Sequence, residues 1–257
     1  MTPTRQAVPP FVHLAAHPVR WRLLRELSGG DYRVRELVAR LDEPQNLVSY
    51  HLRLLREGGL VTTTRSSHDG RDSYNHLHLD RCAEMIADAG PALHPALVMH
   101  PETPTFGPPT TPTVLFICTG NSARSVIAES LLRHRGNHRV DAVSAGSRPK
   151  PTMHPDTVRV LRDEFGIDIT GRSPRPLTDV IGARFDAVIT LCDKAREVCP
   201  DFVDDPQHIH WSIPDPATAG AGEQDTYPIF RKTAIEIDSR VRYLLPALIT
   251  PSKGSAS

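Results

Sequence analysis

Lysine is missing from the first 149 residues of this 257-residue chain, and no apolar run approaches the ~20 residues that a membrane-spanning helix needs. The N-terminus also lacks the basic-then-apolar pattern of a secretion signal. These absences point to a cytoplasmic protein that neither crosses nor coats a membrane. A formal net charge of zero gives the whole chain no electrostatic pull toward nucleic acid or lipid. Cysteine is scarce as well, with four residues at positions 82, 118, 192 and 199. In a reducing compartment they rest as thiols, so any disulfide is transient or catalytic. What remains, 39% hydrophobic and 23% charged residues, is ordinary for one or two globular domains.

One segment divides the chain. "HPETPTFGPPTTP", residues 100–112, holds five prolines and few core-forming side chains, which makes it a stiff, extended connection. The expected organisation is a first domain over 11–98, a linker over 99–112 and a second domain over 113–250. The tail "TPSKGSAS" has the composition of a disordered end.

The first half reads as helices followed by a hairpin. Apolar residues recur at helical spacing from Val12 to Leu27, interrupted by Pro18, which suits the first turn of a new helix. "RVRELVARL" (33–41) and "QNLVSYHLRLLREGG" (45–59) are two further amphipathic helices around a short turn, the second stopped by glycines. "LVTTTRSSHDGRDSYNHLHL" then alternates around His-Asp-Gly as a hairpin does, with His76 and His78 on a solvated strand face. Two helices, a tight turn and a hairpin make a mainly α, winged helix-turn-helix domain.

From Phe11 to about Leu79 the chain resembles the ArsR/SmtB family of winged-helix repressors. "HPVRWRLLREL" stands at that family's opening motif, and "VSYHLRLLREGGLV" at its recognition helix. The resemblance implies a homodimer on double-stranded operator DNA, with Val12–Leu27 and Arg81–Leu97 at the interface. Gln45, Asn46, Ser49 and Tyr50 would lie nearest the bases, and Arg53, Arg65 and Arg71 would face phosphates. Residues 1–100 carry twelve arginines against eleven acidic residues, so any basic surface there must come from uneven distribution. The arsenic-responsive members carry a Cys-x-Cys pair where this chain has Arg33 and Arg35. Guanidinium groups cannot ligate arsenite, and Cys82, alone on an apolar helical face, reads as core.

The second half alternates strands (113–118, 139–145, 185–191, 207–213) with helices (123–135, 154–165, 193–199, 227–248), which predicts an α/β doubly wound, four-stranded parallel sheet. Ligands in such sheets bind beyond the carboxyl ends of the strands. Cys118 ends the apolar strand "TVLFIC" and opens the loop Thr119, Gly120, Asn121, Ser122, Ala123, Arg124, after which Ser125 enters a helix. Such a turn aims backbone N–H groups and the positive end of the helix dipole at one point, which is an oxyanion site. Arg124 can grip the oxyanion with two parallel bonds. The same field favours a thiolate on Cys118, to which Ser125 can donate a hydrogen bond, while Asn121 braces the loop through neighbouring backbone. In "HWSIPDPA", Asp215 lies between two prolines after a strand and is a natural general acid.

This half, about 112–248, resembles the low-molecular-weight protein tyrosine phosphatase superfold, which serves both phosphatases and thioredoxin-coupled arsenate reductases. The phosphatases line their cleft with aromatics, including one just after Asp-Pro. Here Asp215-Pro216 runs into Ala217-Thr-Ala-Gly. The reductases carry two more cysteines seven apart after the third strand, and "VITLCDKAREVCPDF" supplies Cys192 and Cys199.

The resemblance implies reduction of arsenate to arsenite by a relay of Cys118, Cys192 and Cys199, without a bound cofactor or metal. Electrons would come from thioredoxin or, since the Arg-rich, Lys-poor first half hints at a GC-rich bacterial genome, from a mycothiol-type low-molecular-weight thiol. Two alternatives stand beside it: a phosphatase fused to a regulator, and a sensor whose second half binds an oxyanion without turnover.

Overall fold

The structure, a computed structural model, describes residues 8–66, 71–93, 97, 111–219 and 225–249. They fall into two compact units. The linker expected at 99–112 lies outside the described residues except for its last two positions. So do the hairpin tip at 68–70 and the tail after 249.

In the first unit, helix α1 (Pro10–Ala15) is followed by α2 (Pro18–Ser28), separated where the sequence places Pro18. Pro18 occupies the first turn, and the His17 ring accepts from the Val19 amide, so the missing proline N–H costs nothing there. Strand β1 (Tyr32–Arg33) precedes α3 (Val34–Leu41) and α4 (Gln45–Glu57), and β2 (Val61–Arg65), β3 (Ser73–Leu77) and α5 (Leu79–Leu93) complete the unit. The antiparallel sheet runs β1-β3-β2. At two residues, β1 is too short to leave a periodic pattern in the sequence. Leu23, Leu37, Val48, Leu52, Leu55 and Leu60 form the core, and Cys82 and Met85 of α5 close it. The expectation that His76 is merely solvated is corrected: its Nδ1 lies 3.0 Å from Oδ1 of Asp31, which is buried. A carboxylate taken out of water needs such a partner.

The second unit runs β4 (Thr113–Cys118), α6 (Arg124–Gly136), β5 (Asp141–Gly146), α7 (Pro155–Phe165), β6 (Ala187–Thr190), α8 (Asp193–Glu197), β7 (Gln207–His210), α9 (Pro216–Ala219) and α10 (Tyr227–Ile249). All pairings are parallel, in the order β5-β4-β6-β7. β4 is buried from Val114 to Cys118, as its unbroken apolar run requires for a central strand covered on both faces. α6 is buried continuously from Arg124 to Leu132, so it is a central helix with Glu129 and Ser130 inside as well. The order reverses between β5 and β6 on either side of β4, and the carboxyl end of β4 is therefore the crevice of the sheet. Among the described residues no helix is long and apolar enough to cross a membrane.

Candidate active site

β4 delivers Cys118 to that crevice, and the chain then turns tightly into α6. The turn is held from outside by its carbonyls. Those of Cys118, Thr119, Gly120 and Ser122 accept from the amides of Ser147, Arg148, Lys150 and His154 at 2.8–3.1 Å. A planar trans peptide points its carbonyl and the next N–H in opposite directions. The amides of Thr119, Gly120, Asn121 and Ala123 thus face inward, and that of Asn121 donates to Cys118 Sγ at 3.2 Å. Ser125 Oγ lies 3.0 Å from the same sulfur, in the first turn of α6. The Cys118 sulfur thus meets one donating amide and one hydroxyl.

Asn121 takes the left-handed backbone (φ 45°), which asparagine tolerates better than most residues. Its brace is not the local one expected. The side-chain amide donates to Ser125 Oγ (3.0 Å) and Ser144 Oγ (2.8 Å), and its oxygen accepts from the Arg175 amide (2.7 Å). Ser144 in turn donates to Glu129, which also receives Arg172 at 2.6 Å. This network ties the loop to β5, to α6 and to the segment before residue 176. Gly146, at the end of β5, lets the loop lie against the strand: a Cβ there would meet the Thr119 carbonyl at 2.8 Å and Asn121 at 3.0 Å.

Arg124 is buried. Its Nη1 donates to the Ile213 carbonyl (3.0 Å) and its Nη2 to Asp215 Oδ2 (2.8 Å), while Nε is buried with no partner among the described residues. A buried guanidinium with one donor unsatisfied is suited to an incoming oxyanion. Asp215 is partly exposed, and its other oxygen accepts from the Ala217 amide at the start of α9. Cys192 stands at the N-terminal cap of α8, with Thr119 Oγ1 3.3 Å from its sulfur.

One cavity gathers Cys118, Thr119, Gly120, Ser122, Ala123, Arg124, Cys192 and Asp215, with Lys150, Lys194, Ala217 and Thr218. Asn121 and Ser125 support it from behind. Cys199 does not line it; it is half-buried beyond α8, and burial, reinforced by Asp201, pushes its thiol up to about 11. Sequence reasoning missed Lys150 and Lys194, two of only four lysines in the chain. Their scarcity was the one available signal. Among the described residues no aromatic side chain lines the cavity.

In the first unit, Gln45, Asn46, Tyr50 and Arg53 are exposed on α4, with Ser49 half-exposed between them, and Arg65, the last residue of β2, and Arg71, two residues before β3, are exposed as well. The Arg53 guanidinium lies 5.5 Å from the Tyr50 ring centre. Arg33 and Arg35 both bind Asp72, at 3.0 and 2.9 Å, and Arg33 also binds Glu36. The positions that carry thiols in the arsenic-responsive repressors hold here a guanidinium bridge to the base of the wing.

Comparison with known proteins adds the following. The family described as low molecular weight phosphotyrosine protein phosphatase matches residues 113–253, and a helix-turn-helix domain family matches residues 15–64. An arsenate reductase of Halalkalibacterium halodurans is 32% identical over 129 residues, 50% of this chain and 91% of that protein. An arsenate reductase of Bacillus licheniformis is 33% identical over 130 residues, 51% of this chain and 92% of that protein. A solved structure described as an arsenate reductase in the phosphate binding state is 26% identical, with a TM-score of 0.47, covering 54% of this chain and 99% of its own.

Proposed function

Because the chain belongs to the low molecular weight phosphotyrosine protein phosphatase family, we propose that residues 113–250 are a thiol-dependent arsenate reductase, joined through a linker at 99–112 to a winged-helix regulator of arsenic resistance at 11–98. The observation that carries this reading is one cavity holding a cysteine with hydrogen-bond partners at its sulfur, a second cysteine, a buried arginine and an aspartate, and, among the described residues, no aromatic lining residue for a phenol ring.

In the proposed reaction the loop amides and Arg124 hold arsenate, and the Cys118 thiolate attacks arsenic. The oxyanion competes with Asp215 for Arg124; the carboxylate so released takes up a proton from water and passes it to the departing hydroxide. Cys192 then attacks the sulfur of Cys118. A disulfide forms, the arsenic–sulfur pair of electrons moves onto arsenic, and arsenite leaves. Cys199 attacks Cys192, Cys118 departs as a thiolate, and an external dithiol reduces the new disulfide. Cys192 caps α8 and Cys199 lies two residues past its last residue, Glu197. A disulfide between them needs Cα atoms roughly 4.4–6.8 Å apart, and in this reading the segment between them closes to that distance in each cycle.

The partners that go with this reading are arsenate, double-stranded operator DNA, and thioredoxin or a mycothiol-type donor. The setting is the cytoplasm, with no membrane. The first unit would pair as a homodimer through Val12–Leu27 and Arg81–Leu97. With Arg33 and Arg35 engaged by Asp72, arsenite has no thiol to bind at α3.

The test runs arsenate-dependent NADPH oxidation with thioredoxin and its reductase beside hydrolysis of an aryl phosphate. Arsenate-dependent oxidation with negligible hydrolysis is expected. Hydrolysis without oxidation would make the protein a phosphatase, and neither activity with retained phosphate binding would make it a sensor.

A further inference from the structure

The relay asks for one cysteine that waits in the cavity and another that arrives, and the two ends of α8 are held very differently. Asp193, the first residue of α8 and the neighbour of Cys192, is 2% exposed. Its Oδ1 accepts from Ser212 Oγ at 2.9 Å and lies 3.0 Å from His210 Nε2. The other ring nitrogen, Nδ1, is 2.8 Å from Thr190 Oγ1. A carboxylate oxygen only accepts, so Nε2 carries a proton, and Nδ1 is left to pair with the Thr190 hydroxyl. Thr190 ends β6, His210 ends β7, and the two are register partners in the sheet. One imidazole thus clamps the chain on both sides of Cys192, two residues before it and one after. At the far end, Val198 is 59% exposed and Cys199 is half-buried with a thiol that burial keeps protonated. Leaving that environment removes the burial that holds the Cys199 proton in place.

We propose that His210 is a positioning residue for the reduction: through Thr190 and Asp193 it holds Cys192 at the cavity wall beside Thr119, in place for the first exchange with Cys118. The inference rests on the relay described above. In the first exchange the Cys192 thiolate attacks the Cys118 sulfur, the sulfur–arsenic bond breaks, and arsenic keeps the electron pair. In the second, Cys199 gives its proton to water and attacks Cys192; the 118–192 bond breaks and Cys118 leaves as a thiolate, with no net change in oxidation. The clamp acts on the first exchange, because misplacing a reacting group by about 1 Å can cost about 10²-fold in rate. It does not touch the oxyanion.

The experiment uses the full chain carrying Cys199→Ser, so that the cycle stops at the first disulfide. Arsenate is added, the reaction is quenched with acid, and the 118–192 disulfide is timed by mass spectrometry. Adding His210→Ala should slow its formation about tenfold, with a smaller loss for Thr190→Val, which removes one partner and keeps the shape. His210→Gln, which can still donate to Asp193, should recover most of the rate. Affinity for inorganic phosphate should stay unchanged in all of them, which separates positioning from a damaged site. Disulfide formation at the parent rate in both His210→Ala and Thr190→Val would overturn the clamp alone. No 118–192 disulfide in the Cys199→Ser parent would overturn the relay and the clamp with it.

Discussion

Each unit buries a cysteine to nearly the same degree, Cys82 at 7% exposure and Cys118 at 2%. Their surroundings differ in kind. Cys82 closes an apolar core from α5, and burial pushes its thiol up to about 11. Cys118 meets an amide, a hydroxyl and the start of a buried helix. Accessibility alone does not separate these two thiols; the hydrogen-bonding groups aimed at the Cys118 sulfur do.

The largest test of that contrast is a pair of matched substitutions. Cys118→Ser should lower arsenate turnover at least ~10³-fold, since a hydroxyl is not ionised at neutral pH. Cys82→Ser should leave it within about twofold, its cost being ~1–3 kcal/mol of stability in the first unit. Equal loss of turnover in two folded variants would break the distinction. Next, Cys199→Ser should release about one equivalent of arsenite and then stall, with a 118–192 disulfide visible by mass spectrometry; steady turnover would remove Cys199 from the cycle.

Ser125→Ala sharpens the comparison at the level of one donor. Hydrogen bonds to a charged group are worth ~1.5–3 kcal/mol, so alkylation of Cys118 by iodoacetamide at neutral pH should slow by roughly tenfold or more, while Cys82 is unaffected. The smallest effect concerns pH. Burial pushes the Cys82 thiol up from its ordinary 9.0 to about 11 in the folded chain. The stability it contributes is therefore complete below pH 9 and lost as pH rises toward 11, where only the unfolded chain has given up the proton. Melting curves of wild type minus Cys82→Ala should show that decline, and a flat difference would mean the thiol is not held neutral.

The oxyanion loop was legible because its geometry is local. An apolar strand, a cysteine, small turn-forming residues and a helix start lie within thirteen residues, and their order fixes where amides and dipole point. The four strands of the second unit, their parallel sense and the helices between them followed from pattern in the same way. What stayed hidden is non-local. Nothing near Asn121 announces Ser144 or Arg175, and nothing near Asp193 announces His210. Those pairs exist only once the sheet order brings β5 and β7 to opposite sides of the crevice. His76 was misread for the same reason, since Asp31 is 45 residues away.

The tight approach at Gly146 bears on how this protein can change from one generation to the next. Any missense change at that codon adds at least one carbon, and that carbon has nowhere to go but into the carbonyl of Thr119 and the backbone of Asn121. A side chain at position 146 requires the loop at 119–121 to shift, and with it the Asn121 amide that donates to the Cys118 sulfur. The strand end and the loop are thereby one steric unit, in which a change at 146 has to be matched at 119–121.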